Sequence, residues 1–185
     1  MSFPFHGIRI MKKLGLILAS LTLCTLVHAS GFTLQSTDFK DQAPMGSKQE
    51  FNSFGCTGQN VSPQLSWQNA PIGTKSFANT VYDPDAPTGS GWWHWLVVNI
   101  PASVNQLASG QVPVGSLQTR TDYGGNVYGG ACPPAGDKPH RYIHTVWALD
   151  VEQLPVDANA SGALVGFMLN QHALGKARLT TFFSR

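Results

Sequence analysis

A mainly β fold is what this sequence predicts: a two-sheet antiparallel β-sandwich, one C-terminal helix packed on it, and large structured loops. Three observations carry that expectation. Charged residues make up only 12% of the 185, while glycine and proline number 19 and 12. That balance suits strands and turns better than a bundle or a disordered chain. Apolar residues alternate, or run unbroken over strand length, at several places, whereas helical spacing is sustained once, near the end. The length suits one domain whose core needs no metal or disulfide staple.

The first thirty residues differ from the rest. Lys12 and Lys13 precede an apolar run over 14–26, and Val27-His28-Ala29 places small residues at the −3 and −1 positions. Basic start, apolar centre and small-residue cleavage site define a secretory signal peptide. Residues 1–29 are therefore read as a signal peptide, with Met11 as an alternative start, and 30–185 as a single domain. The run is too short for a membrane span, and Leu23 before Cys24 is not the small residue that a lipobox needs. No stable membrane anchor is expected, and the mature chain is placed in the periplasm, with the extracellular space as the alternative. Cleavage removes Arg9, Lys12 and Lys13, leaving nine basic side chains against ten acidic, a net charge of −1. No basic stripe remains, which excludes a nucleic-acid partner. Two of three cysteines remain, Cys56 and Cys132. An even pair in an exported chain suggests one disulfide, tying the 54–58 loop to the 129–134 loop; two buried thiols that never meet are the alternative.

Along the mature chain, 31–36 alternates as an opening strand, and 37–58 is polar loop with one brief extended piece. A turn at 60–64 leads into Leu65 and Trp67 in alternation. A second turn at 71–73 precedes a strand over 76–82. Residues 95–100 are a continuous apolar run, a strand buried on both faces, and 101–115 is irregular. The glycine- and proline-rich stretch 120–139 is too long for a mere connector and reads as a functional loop. Residues 141–149 form the clearest strand, with Tyr142, His144, Val146 and Ala148 on one face. Leu164, Val165, Met168, Leu169, His172 and Ala173 set helical spacing over 161–177, and 179–183 returns as a strand.

Two stretches carry chemistry. In Asp83-Pro-Asp-Ala-Pro87 the prolines fix φ and remove donors, so Asp83 and Asp85 sit on a stiff turn. Trp92-Trp-His-Trp95 follows a glycine pair and offers a partly dehydrated wall beside His94. In the second stretch, 129–142, glycines free backbone N–H groups to converge on one point, a nest that suits anions. His140 and Tyr142 share one side of the strand start; Arg141 points the other way, toward a structural ion pair or carbonyl clamp. Together Asp83, Asp85, His94, His140 and Tyr142 make one pocket. An aspartate accepting from one imidazole nitrogen orients the ring and favours its charged form, so the other nitrogen can donate to a phosphate oxygen. The plainer readings stand beside these: histidines satisfied inside the fold, aspartates that cap the turn, tryptophans that fill the core, and no site at His144 or His172. Neither Ser62 nor Ser90 has the surroundings of a nucleophile elbow, so no catalytic residue is assigned. No cofactor is expected; a facial metal triad of Asp83, His94 and His140 is a weaker alternative.

Asp83-Pro-Asp-Ala-Pro87 with Trp92-Trp-His-Trp95, and Gly129-Gly-Ala-Cys-Pro-Pro-x-Gly-x-x-x-His-Arg-Tyr142, resemble the two signature regions of the phosphatidylethanolamine-binding proteins. That family includes the Raf kinase inhibitor proteins, and this chain is similar to its bacterial branch. The likeness runs over 31–185 and includes Asn60-Val-Ser-Pro-x-Leu-Ser-Trp67 and the ending from Gly166. It implies a small pocket for phosphate-like anions and head groups, lined by Asp83, Asp85, Pro87, Trp92, His94, Pro134, His140 and Tyr142, with the backbone near Cys132. It also implies a homodimer and a protein partner of the kinase or protease type. Cys132 stands where the animal proteins carry a small glycine, the loop inside the first signature is shorter, and their C-terminal extension is absent. The function expected is an exported binding protein for a small phosphate-containing anion that also acts as an inhibitor of a partner. The alternative is a small-molecule hydrolase using the same Asp/His pocket for general acid–base work.

Overall fold

The computed structural model describes residues 1–2 and 31–185. The signal peptide expected over 1–29 lies almost wholly outside the described residues. In chain order the elements are β1 (Thr33–Gln35), β2 (Ala43–Pro44), β3 (Leu65–Gln68), β4 (Ser76–Asp83), β5 (Trp92–Pro101), β6 (Gln106–Leu107), β7 (Leu117–Gln118), β8 (His140–Leu149), α1 (Gly162–His172) and β9 (Ala173–Phe183). They form a six-stranded sheet in the order β2-β9-β8-β4-β5-β7 and a three-stranded sheet in the order β1-β3-β6. Pairing is antiparallel except for the two-residue match of β2 with β9, which is parallel.

Alternation along the strands builds two apolar layers. Phe77, Val81, Trp95, Val97, Tyr142, Val146 and Leu179 of the large sheet pack against Leu34, Leu65, Trp67 and Leu107 of the small one. The opposite face, with Ala78, Leu96, Val98, Trp147 and Leu149, is covered by Val165 and Leu169 of α1 together with Leu154 and Ala160. Burial on both faces explains the continuous apolar run within β5. Ser161 caps α1, its side chain accepting from the Leu164 amide at 3.3 Å, one of the donors a helix start leaves without a partner.

Among the boundaries that differ from the sequence expectation, two are the largest departures. The helix stops at His172 rather than continuing to 177, because residues 173–177 are claimed by β8, with Ala173 opposite Leu149 and Ala177 opposite Val146. Ten ladder partners outweigh the weak helical preference of a segment that contains Gly175. Strand β5, which lies between β4 and the two-residue edge strand β7, begins at Trp92 rather than Trp95, and its extra residues shape the site.

Candidate functional site

The 84–91 loop between β4 and β5 and the long loop ending in β8 meet over one end of the large sheet. Asp83, the last residue of β4, organises the first. Its Oδ1 accepts from the amides of Asp85 at 2.7 Å and Ala86 at 3.1 Å, closing the local turn that Asp favours. Its Oδ2 accepts from Nδ1 of His140 at 2.8 Å. Gly91 has φ +70, and a Cβ there would meet the Tyr82 hydroxyl and the Asp83 carbonyl, so only glycine fits the return into β5.

A β-bulge places His94. Val81 pairs with Trp95 but the next residue, Tyr82, pairs with Trp93, so His94 is an extra residue on β5. Bulges bend a strand and re-aim a side chain. Here Trp93 turns to the helix side and stacks on Tyr82, centroids 4.6 Å apart. His94 and Trp95 then both face inward. The His94 ring meets Tyr142 and Tyr123 edge-on at 5.1 and 5.5 Å. Its Nδ1 lies 2.8 Å from the Gly129 carbonyl and 3.1 Å from that of Gly130. Carbonyls only accept, so this nitrogen carries the hydrogen.

These loops enclose a cavity of about 170 Å³ lined by Phe54, Asp83, Ala86, Pro87, Thr88, Trp92, His94, Tyr123, Cys132, Pro133, Pro134, His140 and Tyr142. Of the residues singled out from sequence, Asp83, Pro87, Trp92, His94, Cys132, Pro134, His140 and Tyr142 come together in this wall. Asp85 does not. Arg141 takes both its oxygens, Nε to Oδ2 and Nη2 to Oδ1 at 2.8 Å each, and the Arg141 amide adds a third bond at 2.9 Å. That bidentate hydrogen bonding from Arg141 holds the Asp85 carboxyl well below its usual range, at about 2. Cys56 and Cys132 are joined as a disulfide, which fixes the Phe54 loop against the wall. Arg185 adds a clamp from the C-terminus, Nε donating to the Pro133 carbonyl at 2.6 Å and Nη1 to that of Gly55 at 2.8 Å.

Three polar atoms in this lining are buried and unpartnered: Nε1 of Trp92, Nε2 of His94 and Oη of Tyr142. Burial holds the His94 imidazole below its ordinary value, against smaller opposing effects of the Gly129 carbonyl and Asp83. Burial raises the Tyr142 and Tyr123 phenols, with Asp83 reinforcing both shifts; the Cys132 backbone amide, near the Tyr142 hydroxyl but outside hydrogen-bond geometry, opposes the Tyr142 shift weakly. The ring of His94 is thus neutral, the two hydroxyls keep their protons, and the wall offers two neutral donors and one acceptor. His140 is closed by comparison, its Nε2 lying 3.4 Å from Asp137 Oδ2. Among the described residues no cluster of His, Cys, Asp or Glu is arranged to hold a metal ion, and no helix is long and apolar enough to cross a membrane.

Sequence reasoning did not single out Phe54, Tyr123 or Arg185. Tyr123 lies inside the long loop flagged as functional, and Phe54 is carried by the loop that the disulfide ties down; each had a regional signal but no residue-level one.

Residues 35–184 match the phosphatidylethanolamine-binding protein family. The chain is 49% identical over 174 residues to the Escherichia coli protein YbcL, covering 90% of this chain and 94% of that one. To E. coli YbhB it is 52% identical over 157 residues, covering 82% and 99%. The crystal structure of E. coli YbcL, described as a new member of the mammalian PEBP family, superposes with a TM-score of 0.83 at 50% identity, covering 84% of this chain and 99% of that one. This chain belongs to the phosphatidylethanolamine-binding protein family, and its relatives place it on the bacterial side.

Proposed function

We propose that this member of the phosphatidylethanolamine-binding protein family is an exported binding protein that captures a small phosphate-type anion in the cavity between Asp83, His94, His140 and Tyr142, without turning it over. Residues 1–29 are its signal peptide, and the mature domain works in the periplasm. One observation carries the reading: Trp92 Nε1, His94 Nε2 and Tyr142 Oη, all buried and unpartnered, belong to three residues that line one cavity. Each such atom, left dry, costs roughly 1–3 kcal/mol, and three of the ten unpartnered buried side-chain atoms found among the described residues belong to this one lining. Trp92 and Tyr142 supply neutral donors to oxygens, and about 170 Å³ suits a head group rather than an acyl chain.

Inhibition of a protein partner extends the same reading. Phe54, 68% exposed at the rim, offers an apolar anchor to a partner whose acidic or phosphorylated group enters the cavity.

Equilibrium titration of inorganic phosphate and phosphorylethanolamine against the wild type and His94→Ala tests the proposal. Saturable binding that weakens at least about tenfold in the variant, a difference of ~1.4 kcal/mol, supports it; equal affinity contradicts it. The hydrolase alternative draws on the bare Nε2 of His94, which is what a general base needs. Against it, the one aliphatic hydroxyl in the lining, that of Thr88, already donates to the Gly91 carbonyl at 2.6 Å. Turnover of a phosphomonoester or carboxylic ester that vanishes in Asp83→Asn would favour the enzyme.

A further inference from the structure

The wall of this cavity contains an obligate acceptor, which is unusual in a site for an anion. With the hydrogen of His94 committed to the Gly129 and Gly130 carbonyls, Nε2 keeps its lone pair, buried and unpartnered. None of the groups facing the ring donates to it. From β4, Asp83 accepts from the Asp85 and Ala86 amides and from His140. From the long loop, Asp122 accepts from the Trp93 amide at 2.7 Å and the Tyr123 hydroxyl donates to the Gly130 carbonyl at 2.9 Å. From β8, His144 meets the Thr181 hydroxyl at 3.3 Å, His140 lies between Asp83 and Asp137, and the Tyr142 hydroxyl is unpartnered. Among the described residues no lysine or arginine is in the lining, whereas Asp83 is part of it. A fully deprotonated oxyanion would set lone pair against lone pair, in a place with no free cation to offset its charge.

We infer that the cavity admits an oxyanion only together with one proton, held between a ligand oxygen and Nε2 of His94. The inference rests on the anion-binding reading above. Two routes give the same complex, and no bond between heavy atoms changes in either; the second moves one proton from hydronium or buffer acid onto Nε2. A hydrogen-bearing oxyanion donates its O–H to Nε2 while Trp92 and Tyr142 donate to its other oxygens. A bare oxyanion binds while Nε2 takes a proton from solvent. Ligand chemistry then sets the selectivity. Inorganic phosphate carries an O–H throughout the neutral range; a phosphomonoester carries one only below its second pKa, roughly 6; sulfate carries none.

The test is calorimetric titration of the wild type with sodium phosphate, methyl phosphate and sodium sulfate. It is run near pH 7.5 and near pH 5.5, each in two buffers of different ionisation enthalpy. Phosphate is expected to bind at least ~10-fold more tightly than sulfate at the higher pH. Sulfate and methyl phosphate are expected to gain affinity on acidification, and sulfate to take up one proton per complex. His94→Gln, whose amide can donate, is expected to level phosphate and sulfate. Nitrogen-15 correlation spectra of the histidines give a readout that needs no variant: Nε2 of His94 bare in the free protein and protonated with sulfate bound. Sulfate binding as tightly as phosphate at the higher pH without proton uptake, or an Nε2 already protonated in the free protein, overturns this inference and leaves anion binding standing. Failure of all three oxyanions to bind overturns both.

Discussion

Two histidines line the same cavity and are finished in opposite ways. Both ring nitrogens of His140 face carboxylates, Asp83 at 2.8 Å and Asp137 at 3.4 Å. One ring nitrogen of His94 is held by backbone carbonyls and the other by nothing. The difference separates two jobs. The Asp83–His140 pair welds the turn after β4 to the start of β8, and so fixes the shape of the wall. The His94–Tyr142 side leaves hydrogen-bonding capacity unspent, positioned by a bulge and by packed aromatic rings. Binding sites need a rigid support around the groups that meet the ligand, and here the support and the contacts are different residues on neighbouring strands.

The closed half breaks hardest. Asp83→Ala removes a buried carboxylate from His140 and from two amides at once, side chains only 3% and 2% exposed in the pair. Leaving buried hydrogen-bonding groups without their partner costs roughly 1–3 kcal/mol for each group, and three bonds are lost together. Urea unfolding is expected to show a loss of that size, with Asp83→Asn costing less because its Oδ1 still accepts from the Asp85 and Ala86 amides. A loss in Asp83→Ala below about 1 kcal/mol, the value of an exposed pair, would show that this weld does not hold the wall.

Acid acts on the other half. His94 and, one step deeper on the same side, His144 are kept neutral by burial, the latter pushed down from 6.5 to about 3. Their folded values lie below their unfolded ones, so their stabilisation is fully present above about 6.5 and is lost as pH falls, for His144 down to about 3. Near pH 4.5, His144 alone accounts for roughly 2–3 kcal/mol of lost stability. Denaturant unfolding at the two ends of that range reads it, and His144→Phe, with Phe39 already stacked on the ring at 4.9 Å, is expected to flatten the profile. An equally steep profile in the variant would place the acid sensitivity elsewhere.

The smallest effect is expected outside the cavity. Arg141 is 49% exposed where it pairs with Asp85, and exposed pairs contribute no more than about 1 kcal/mol. Arg141→Ala is expected to shift unfolding by less than that and to leave phosphate affinity unchanged. A loss of affinity there would bring Asp85 back into the site.

Much of this was legible because the residues concerned are constrained locally. Pro84 and Pro87 stiffen their turn whatever surrounds it, and strand alternation alone puts His140, Tyr142 and His144 on one face and Arg141 on the other. His94 was expected in the pocket from its neighbours in the sequence, but the bulge that turns it there was not legible. Plain alternation from Trp95 would send it to the opposite side, and the bulge that reverses this depends on register with β4. The end of α1 was hidden for a related reason: helical spacing continues through Ala173, but pairing with β8 is worth more there. Arg185, at the last position, reaches the rim only because β9 runs beside β8, which no local pattern announces.

Unspent hydrogen-bonding capacity in the residues that line the cavity is tested most directly by Tyr142→Phe. Deleting a buried hydroxyl that has no partner should leave unfolding stability unchanged or raise it by about 1 kcal/mol. The same variant should bind phosphate about tenfold more weakly than the wild type. A variant that is less stable yet binds phosphate as well as the wild type would contradict the account, because the hydroxyl would then serve the fold and not a ligand.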